Sequence, residues 1–125
     1  MSTTKLFSLI QSELSYNEPN KKAFHAEAKK VLRAVAKKMG LPSGSYDISS
    51  SKGGIAVSGE IHLRTDRLYV TISAPVFIGR TDIMYRQCNS RKDSTGGSNQ
   101  WVCVSRLLDD DVISRFVATH EAAMA

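Results

Sequence analysis

Residues 21–39 constrain the fold more than any other part of the chain, because their apolar side chains recur with the period of an α-helix. The apolar positions form one continuous stripe, made of Phe24, Ala28, Val31, Leu32, Val35 and Met39. Asn20 is placed to cap the start of this helix, Gly40 suits the position just beyond its end, and Pro42 prevents it from resuming. The pattern predicts a helix over 21–39 that buries one face against the rest of the protein.

Two runs of alternating apolar and polar residues, 55–63 and 68–74, predict a β-hairpin. A four-residue turn over 64–67 would place Leu63 opposite Leu68 and every other apolar residue opposite an apolar one. The opposite face of the hairpin would carry Ser58, Glu60, His62, Tyr69, Thr71 and Ser73. Such a face is typical of a solvated surface, a wet site or a dimer interface.

The remaining predicted elements are a helix over 4–15, an edge strand over 46–49, strands over 83–88 and 101–104, and a helix over 110–124. Asp109 is expected to cap the last helix, and Asp110 and Asp111 lie in its first turn, where the helix dipole favours anions. The order of elements predicts a single α+β domain over 1–125. It would consist of an N-terminal helical pair, an antiparallel sheet of about four strands and a C-terminal helix.

The composition narrows the class of protein and its compartment. Of the 125 residues, 42% are hydrophobic and 23% are charged, which excludes a wholly disordered chain. No run approaches the ~20 apolar residues of a membrane span, and the N-terminus lacks the pattern of a signal peptide. We therefore expect a cytoplasmic protein with no membrane partner. Cys88 and Cys103 are expected to be free thiols, because two cysteines are too few for a disulfide scaffold or a four-ligand zinc site.

Positive charge is concentrated in the predicted helix. Residues 21–38 carry a net charge of +6, which exceeds the +5 of the whole chain. Lys22, Lys29, Arg33 and Lys37 fall on one helix face, where they can neutralise the phosphates of a nucleic acid. The same charges are also typical of a solvated amphipathic helix, so both interpretations stay open.

A second cluster of polar residues lies between the two last predicted strands. The residues that can bind a phosphate-bearing ligand there are Arg86, Arg91, Lys92, Thr95, Gly96, Gly97 and Asn99. The arginines can grip phosphate oxygens, the glycine N–H groups can converge on an anion, and the threonine and asparagine can donate hydrogen bonds. The alternative is a long hairpin loop over 89–100, in which the glycines serve turn geometry and Asp93 pairs with Arg91 or Lys92.

The sequence of this loop, Y-R-x-C-x-x-R-K-D-x-T-G-G-x-N from Tyr85 to Asn99, resembles a pattern in small accessory proteins of tailed bacteriophages. The similarity covers roughly 53–101. It implies a phage origin, a location in the host cytoplasm, and a role in host takeover or counter-defence, without implying an activity or any site residue.

Together these patterns favour non-enzymatic binding of a phosphate-bearing small molecule or nucleotide through 86–99, such as sequestration of a nucleotide immune signal. The alternatives are nucleic-acid binding through the basic helix and inhibition of a host defence enzyme by direct docking. No catalytic residue, cofactor or metal is expected. Glu60 and His62 share a strand face and could pair as a base and the residue that orients it, which leaves an enzyme as a further alternative. A homo-oligomer is expected, because a chain this short forms a deep pocket most easily between subunits.

Overall fold

Two helices precede the sheet in this chain and one helix follows it. The computed structural model describes residues 2–74 and 82–122. Its elements are α1 (Thr4–Ile10), α2 (Glu18–Lys38), β1 (Tyr46–Ser51), β2 (Glu60–Thr65), β3 (Leu68–Ile72), β4 (Asp82–Ser90), β5 (Asp93–Gly96), β6 (Gln100–Cys103), a 3-10 turn (Val104–Arg106) and α3 (Asp110–Ala122). The strands form an antiparallel sheet in the order β1-β2-β3-β4, and both β5 and β6 pair with the outer edge of β4. The predicted α+β class is confirmed, with six described strands in place of about four.

Helix α2 begins three residues earlier than the apolar stripe predicts. The side chain of Asn17 accepts a hydrogen bond from the backbone N–H of Asn20 at 3.1 Å and is the cap. Pro19 lies in the first turn, where its missing N–H would have had no helical partner in any case. The prediction that Asn20 is the cap is therefore wrong. Gly40 ends the helix as predicted, with a φ of +77° that favours glycine.

The hairpin of β2 and β3 is confirmed, but its predicted register is wrong. Leu63 faces Val70 rather than Leu68, and the turn has two residues, 66–67, rather than four. A shift of two residues leaves every side chain on its predicted face, so the alternating pattern cannot distinguish the two registers. The tighter turn is held by Thr65, whose hydroxyl oxygen accepts hydrogen bonds from two backbone N–H groups at 3.1 and 2.8 Å.

The first part of the predicted strand over 55–63 is instead a loop over 52–59 that packs on α2. Lys21 Nζ donates a hydrogen bond to the carbonyl oxygen of Gly54 at 3.0 Å, and His25 Nε2 donates to that of Ser58 at 2.7 Å. Strand β1 takes the place of this segment at the edge of the sheet, where it pairs along its whole length with β2.

The long polar loop predicted over 89–100 is shorter in the structure. Strand β4 continues to Ser90, and Arg91 and Lys92 form the turn into β5. Residues 97–99 then connect β5 to β6, which pairs with the first half of β4. Strands β5 and β6 thus behave as one interrupted edge strand. The last helix ends at Ala122, and the predicted residues 123–124 lie outside the described part of the chain.

The helices cover one face of the sheet. α2 packs on β1 and β2, α3 packs on β3 and β4, and α1 packs on α2 and the 3-10 turn. The largest fully buried side chains come from both layers and include Phe24, Leu32, Ile61, Leu63, Ile83 and Phe116. Each such side chain contributes roughly 1.5–3 kcal/mol through its removal from water. No described helix packs on the opposite face of the sheet, which carries Glu60, His62, Tyr69 and Thr71.

Candidate anion-binding surfaces

Four cations form an exposed stripe on α2, which we call the basic stripe: Lys22, Lys29, Arg33 and Lys37. Lys29 is half-buried and the other three are exposed, because the opposite side of α2 is buried against the sheet. Within residues 2–74 and 82–122, none of the four forms an ion pair or a side-chain hydrogen bond. The structure therefore brings together all four residues that the helical period predicts.

Two other cations of α2, Lys21 and Lys38, have structural partners. Lys21 is only 3% exposed, and its ammonium group bonds the carbonyl oxygen of Gly54. Lys38 Nζ lies 3.4 Å from a carboxylate oxygen of Asp110 and donates to the carbonyl oxygen of Leu108 at 2.8 Å. The basic stripe and the exposed Lys30 are thus the part of this charge that forms no ion pair or side-chain hydrogen bond within the described residues.

Arg86 of the predicted phosphate loop fastens β4 to the edge of the sheet. Its Nε donates to the carbonyl oxygen of Ser94 at 2.6 Å, its Nη2 to the hydroxyl of Ser94 at 3.4 Å, and its Nη1 to Oδ1 of Asn99 at 3.0 Å. The structure therefore brings Arg86 and Asn99 together as predicted. Three donors of this guanidinium are already occupied by the chain.

Arg91 and Lys92 lie in the turn between β4 and β5. Arg91 pairs with two carboxylates from other parts of the sheet, Asp66 at 3.2 Å and Asp47 at 3.6 Å. Lys92 is exposed. The seven residues predicted to bind one phosphate-bearing ligand therefore contact different parts of the chain and do not converge on a single anion.

Asp93 pairs with neither of the cations that the hairpin-loop alternative assigned to it. Its carboxylate accepts hydrogen bonds from the hydroxyl of Thr95 at 2.5 Å and from the Thr95 backbone N–H at 3.1 Å. These bonds favour the ionised carboxylate and lower the pKa of Asp93. Thr95 therefore serves the turn.

The glycine pair of the loop permits close packing against β4. Gly96 has a φ of +129°, and a Cβ atom there would lie 2.6 Å from Oδ1 of Asn89. A Cβ atom on Gly97 would lie 2.8 Å from the carbonyl oxygen of Gln87. Position 96 therefore favours glycine because of its positive φ, and position 97 favours it because a Cβ atom would meet the backbone of β4.

An open cleft of about 420 Å³ lies between the 97–100 segment and α3. Its lining residues are Tyr85, Gln87, Gly97, Ser98, Gln100, Arg115, Ala118 and Thr119. Gly97 is the one predicted ligand in this lining. Arg115 supplies a cation whose Nη2 lies 3.8 Å from a carboxylate oxygen of Asp111. Sequence reasoning missed Arg115, because only the packing of α3 on the sheet brings it to the loop.

A cluster of polar and aromatic side chains lies on the helix-free face of the sheet. His62 Nδ1 lies 3.1 Å from the hydroxyl of Thr71 and 3.0 Å from that of Tyr69, and all three residues are buried. The guanidinium groups of Arg64 and Arg86 each lie 5.2 Å from the ring centroid of Tyr69. The predicted polar face is thus a packed network across β2, β3 and β4, and these three residues are not solvated.

Burial lowers the pKa of His62, and the nearby positive charge of Arg64 acts in the same direction. Glu60 raises it, but its carboxylate oxygen is 3.5 Å from Nε2 and 58% of its side chain is exposed. A neutral imidazole whose Nδ1 accepts from neighbouring hydroxyls fits this environment. The distance between Glu60 and Nε2 exceeds ordinary hydrogen-bond length.

Both cysteines are thiols, as predicted. Cys88 is buried, and its burial raises the thiol pKa. Cys103 Sγ lies 3.2 Å from the hydroxyl of Ser105. Across the described residues, no three His, Cys, Asp or Glu side chains are grouped so that they could hold a metal ion.

No helix in the described ranges has both the length and the apolar character to cross a bilayer. Comparison with known proteins finds no family model, curated protein or solved structure that matches the chain.

Proposed function

We propose that this protein binds a nucleic acid through the basic stripe of α2. The observation that carries the proposal is the contrast between the unpaired stripe and four arginines elsewhere in the described part of the chain. Arg86, Arg91, Arg106 and Arg115 each form a hydrogen bond or an ion pair with oxygens of the chain, whereas the four stripe residues form neither within the described residues. Unpaired cations in one row are suited to a polyanion, because phosphate contacts release condensed counterions.

The dimensions of the stripe suit a nucleic-acid backbone. Residues 22 and 37 are separated by about 22 Å along the helix axis, at ~1.5 Å per residue. B-DNA carries a negative charge for about every 1.7 Å of its axis, so all four cations can meet phosphates at once. Nothing in the stripe is arranged to read base edges, and we therefore expect binding with little sequence preference. Four phosphate contacts give a slope of log K against log salt of up to about −3.6.

Fluorescence anisotropy with labelled duplex DNA and single-stranded RNA tests the proposal. The triple variant Lys29→Gln/Arg33→Gln/Lys37→Gln should lose roughly tenfold or more in affinity at low salt and show a shallower salt slope. The control variant Lys5→Gln/Lys52→Gln/Lys92→Gln has the same net charge but an intact stripe, and it should bind nearly as well as the parent. Equal loss in both variants, or no binding by the parent, would contradict the proposal.

A second candidate function is capture of a small phosphate-bearing molecule, such as a nucleotide, in the cleft between the 97–100 segment and α3. The observation that favours it is the position of Gly97, Ser98 and Arg115 around one opening. Mass spectrometry of the small molecules released by heating the purified protein tests it directly. A nucleotide released from the parent but absent from an Arg115→Gln variant would support this function. A parent and a variant with the same released molecules would count against it.

A further inference from the structure

Strand β1 has one side without a partner. It is the first strand of the sheet and pairs with β2 alone, so no described residue forms backbone hydrogen bonds with its outer edge. Asp47 and residues 49–51 are exposed, while Tyr46 and Ile48 are half-buried. An edge of this kind presents unpaired N–H and C=O groups that can accept another strand.

The outer edge of β1 lacks the features that usually protect such strands. It contains neither proline nor lysine and forms six continuous pairs with β2. Its only charged residue, Asp47, is bridged to Arg91 at 3.6 Å. The opposite edge of the sheet is built differently: β5 has an irregular register with β4, and Gly96 has a positive φ next to the break before β6. The described sheet therefore has one edge suited to pairing and one edge that is interrupted.

An exposed apolar patch is formed by two residues of the segment that follows β1 and by Tyr16, which is hydrogen-bonded to that segment. Tyr16, Ile55 and Val57 are 72%, 69% and 50% exposed. The patch is built into the fold, since the backbone N–H of Tyr16 donates to the carbonyl oxygen of Ile55 at 2.8 Å and Lys21 holds the same loop through Gly54. Grouped apolar side chains at a surface mark interaction sites.

We propose that two copies of this chain pair through β1, antiparallel, to form one continuous sheet. The three serines at 49–51 suit this self-pairing, because small neutral side chains can face each other without charge repulsion. An antiparallel pair of identical strands has its two-fold axis perpendicular to the sheet. The end of β1 in one copy then lies beside the start of β1 in the other, so the apolar patch of each copy borders the start of β1 in the partner copy, and the two patches lie at opposite ends of the interface.

This arrangement also positions the helices. A two-fold axis perpendicular to the sheet keeps the helical layers of both copies on the same face, and α2 packs over β1 and β2. With strands about 4.8 Å apart, the two α2 helices would lie roughly 10 Å from each other, which is an ordinary helix-packing distance. If the proposed function holds, the two basic stripes form one surface, and a nucleic acid relieves the repulsion between them. The strand pairing itself does not depend on that function.

Sedimentation velocity on the full chain without nucleic acid is the first test. The parent should sediment as a dimer whose fraction rises with protein and salt concentration, because salt screens the repulsion between the stripes. The variants Ser49→Pro and Ser50→Pro form a matched pair, since successive residues of an edge strand direct their N–H groups alternately inward and outward. Proline at the outward position should abolish the dimer with little loss of melting temperature. Proline at the inward position should instead lower the melting temperature.

Disulfide cross-linking keeps the proposal testable if both proline variants unfold. In a Cys103→Ser background, one cysteine is introduced into β1 in each of three variants: Ser49→Cys, Ser50→Cys and Ser51→Cys. At least one of these variants should cross-link two copies efficiently. Paired strands place opposite Cα atoms about 4.5–5.5 Å apart, within the range of a disulfide. The control is Thr95→Cys on the interrupted edge. A parent that stays monomeric at every concentration, or cross-linking no stronger than that of Thr95→Cys, would overturn the proposal. The stripe variant should form the same dimer as the parent even if it no longer binds DNA.

Discussion

The imidazole of His62 stacks on the phenol ring of Tyr69 with ring centroids 5.4 Å apart, and its Nδ1 lies 3.0 Å from the Tyr69 hydroxyl. This pair joins β2 to β3 on the face of the sheet that no described helix covers. Burial, and after it the positive charge of Arg64, which also lies against the phenol ring, make a proton added to His62 unfavourable and lower its pKa. The protonation state of one buried side chain therefore affects the stability of the centre of the sheet.

Acid should destabilise the protein through His62. The pKa of His62 is lowered in the folded state from its ordinary value of 6.5, so the unfolded chain binds the proton more tightly. The contribution of His62 to stability is complete above pH 6.5 and decreases as the pH falls through the lower, folded-state pKa. Urea denaturation across this range should show the decrease, and NMR titration of the imidazole should give a pKa below 6.5.

The variant His62→Gln controls for other titrating groups. It should be less stable than the parent at neutral pH because it loses the stacked ring, but the difference in unfolding free energy should narrow as the pH falls. A difference that stays constant with pH would show that His62 titrates equally in the folded and unfolded chain.

Gly59→Ala should destabilise the protein strongly. Gly59 has a φ of +75°, and a Cβ atom there would lie 2.5 Å from the carbonyl oxygen of Ser51 and 2.7 Å from His25 Nε2. Strained backbone alone costs about 1–3 kcal/mol, and the contact with backbone adds to it. Chemical denaturation measures the loss. Gly54→Ala is the matched control, because no atom lies within 4 Å of its added Cβ. Similar stabilities for both variants would contradict the described loop geometry.

Asn17→Ala should lower the free energy of unfolding by about 1 kcal/mol, the usual effect of removing a helix cap. Asn20→Ala should change it by less than about 0.5 kcal/mol, because its side chain donates only an exposed hydrogen bond to the carbonyl oxygen of Glu13. Thermal unfolding of both variants distinguishes the two candidate caps. A larger effect at Asn20 would place the start of α2 where the apolar stripe alone puts it.

Arg86→Lys should loosen the interrupted edge strand without changing the net charge. Lysine cannot reproduce the fork by which Arg86 bonds Ser94 and Asn99 simultaneously. Hydrogen exchange of residues 94–100 should accelerate in this variant, whereas β1 and β2 should keep the exchange rates of the parent. Unchanged exchange in 94–100 would show that the guanidinium contacts do not hold the edge.

Local periodicity predicted the elements whose residues interact mainly with one neighbouring layer. The apolar stripe and Gly40 locate α2, because both follow from helix geometry. They do not show where α2 begins, because Pro19 is favourable in the first turn of a helix but would break the interior of one. The alternation of 55–63 was misleading in its first half. Ile55 and Val57 follow the strand pattern, but Lys21 and His25 attract the carbonyl groups of that loop to α2.

The candidate sites show the same limit. The basic stripe could be predicted because helical spacing alone brings its four residues together. The partners of Arg86 and Arg91 depend on which strands lie next to β4, and the order of strands in the sheet cannot be predicted from the sequence pattern. For the same reason the cluster of His62, Tyr69 and Thr71 could be assigned to one face, but its burial could not be predicted.

The buried ammonium group of Lys21 makes the loop over 52–59 observable by chemical labelling. Amine reagents reach Lys22, which is exposed, but they can reach Lys21 only when its bond to Gly54 breaks and the loop leaves α2. The ratio of acylation rates at these two adjacent residues, read from one peptide by mass spectrometry, therefore reports how often the loop opens. Lys21 is therefore a built-in probe of the opening of this loop, and Lys22 is the internal reference for its rate of acylation.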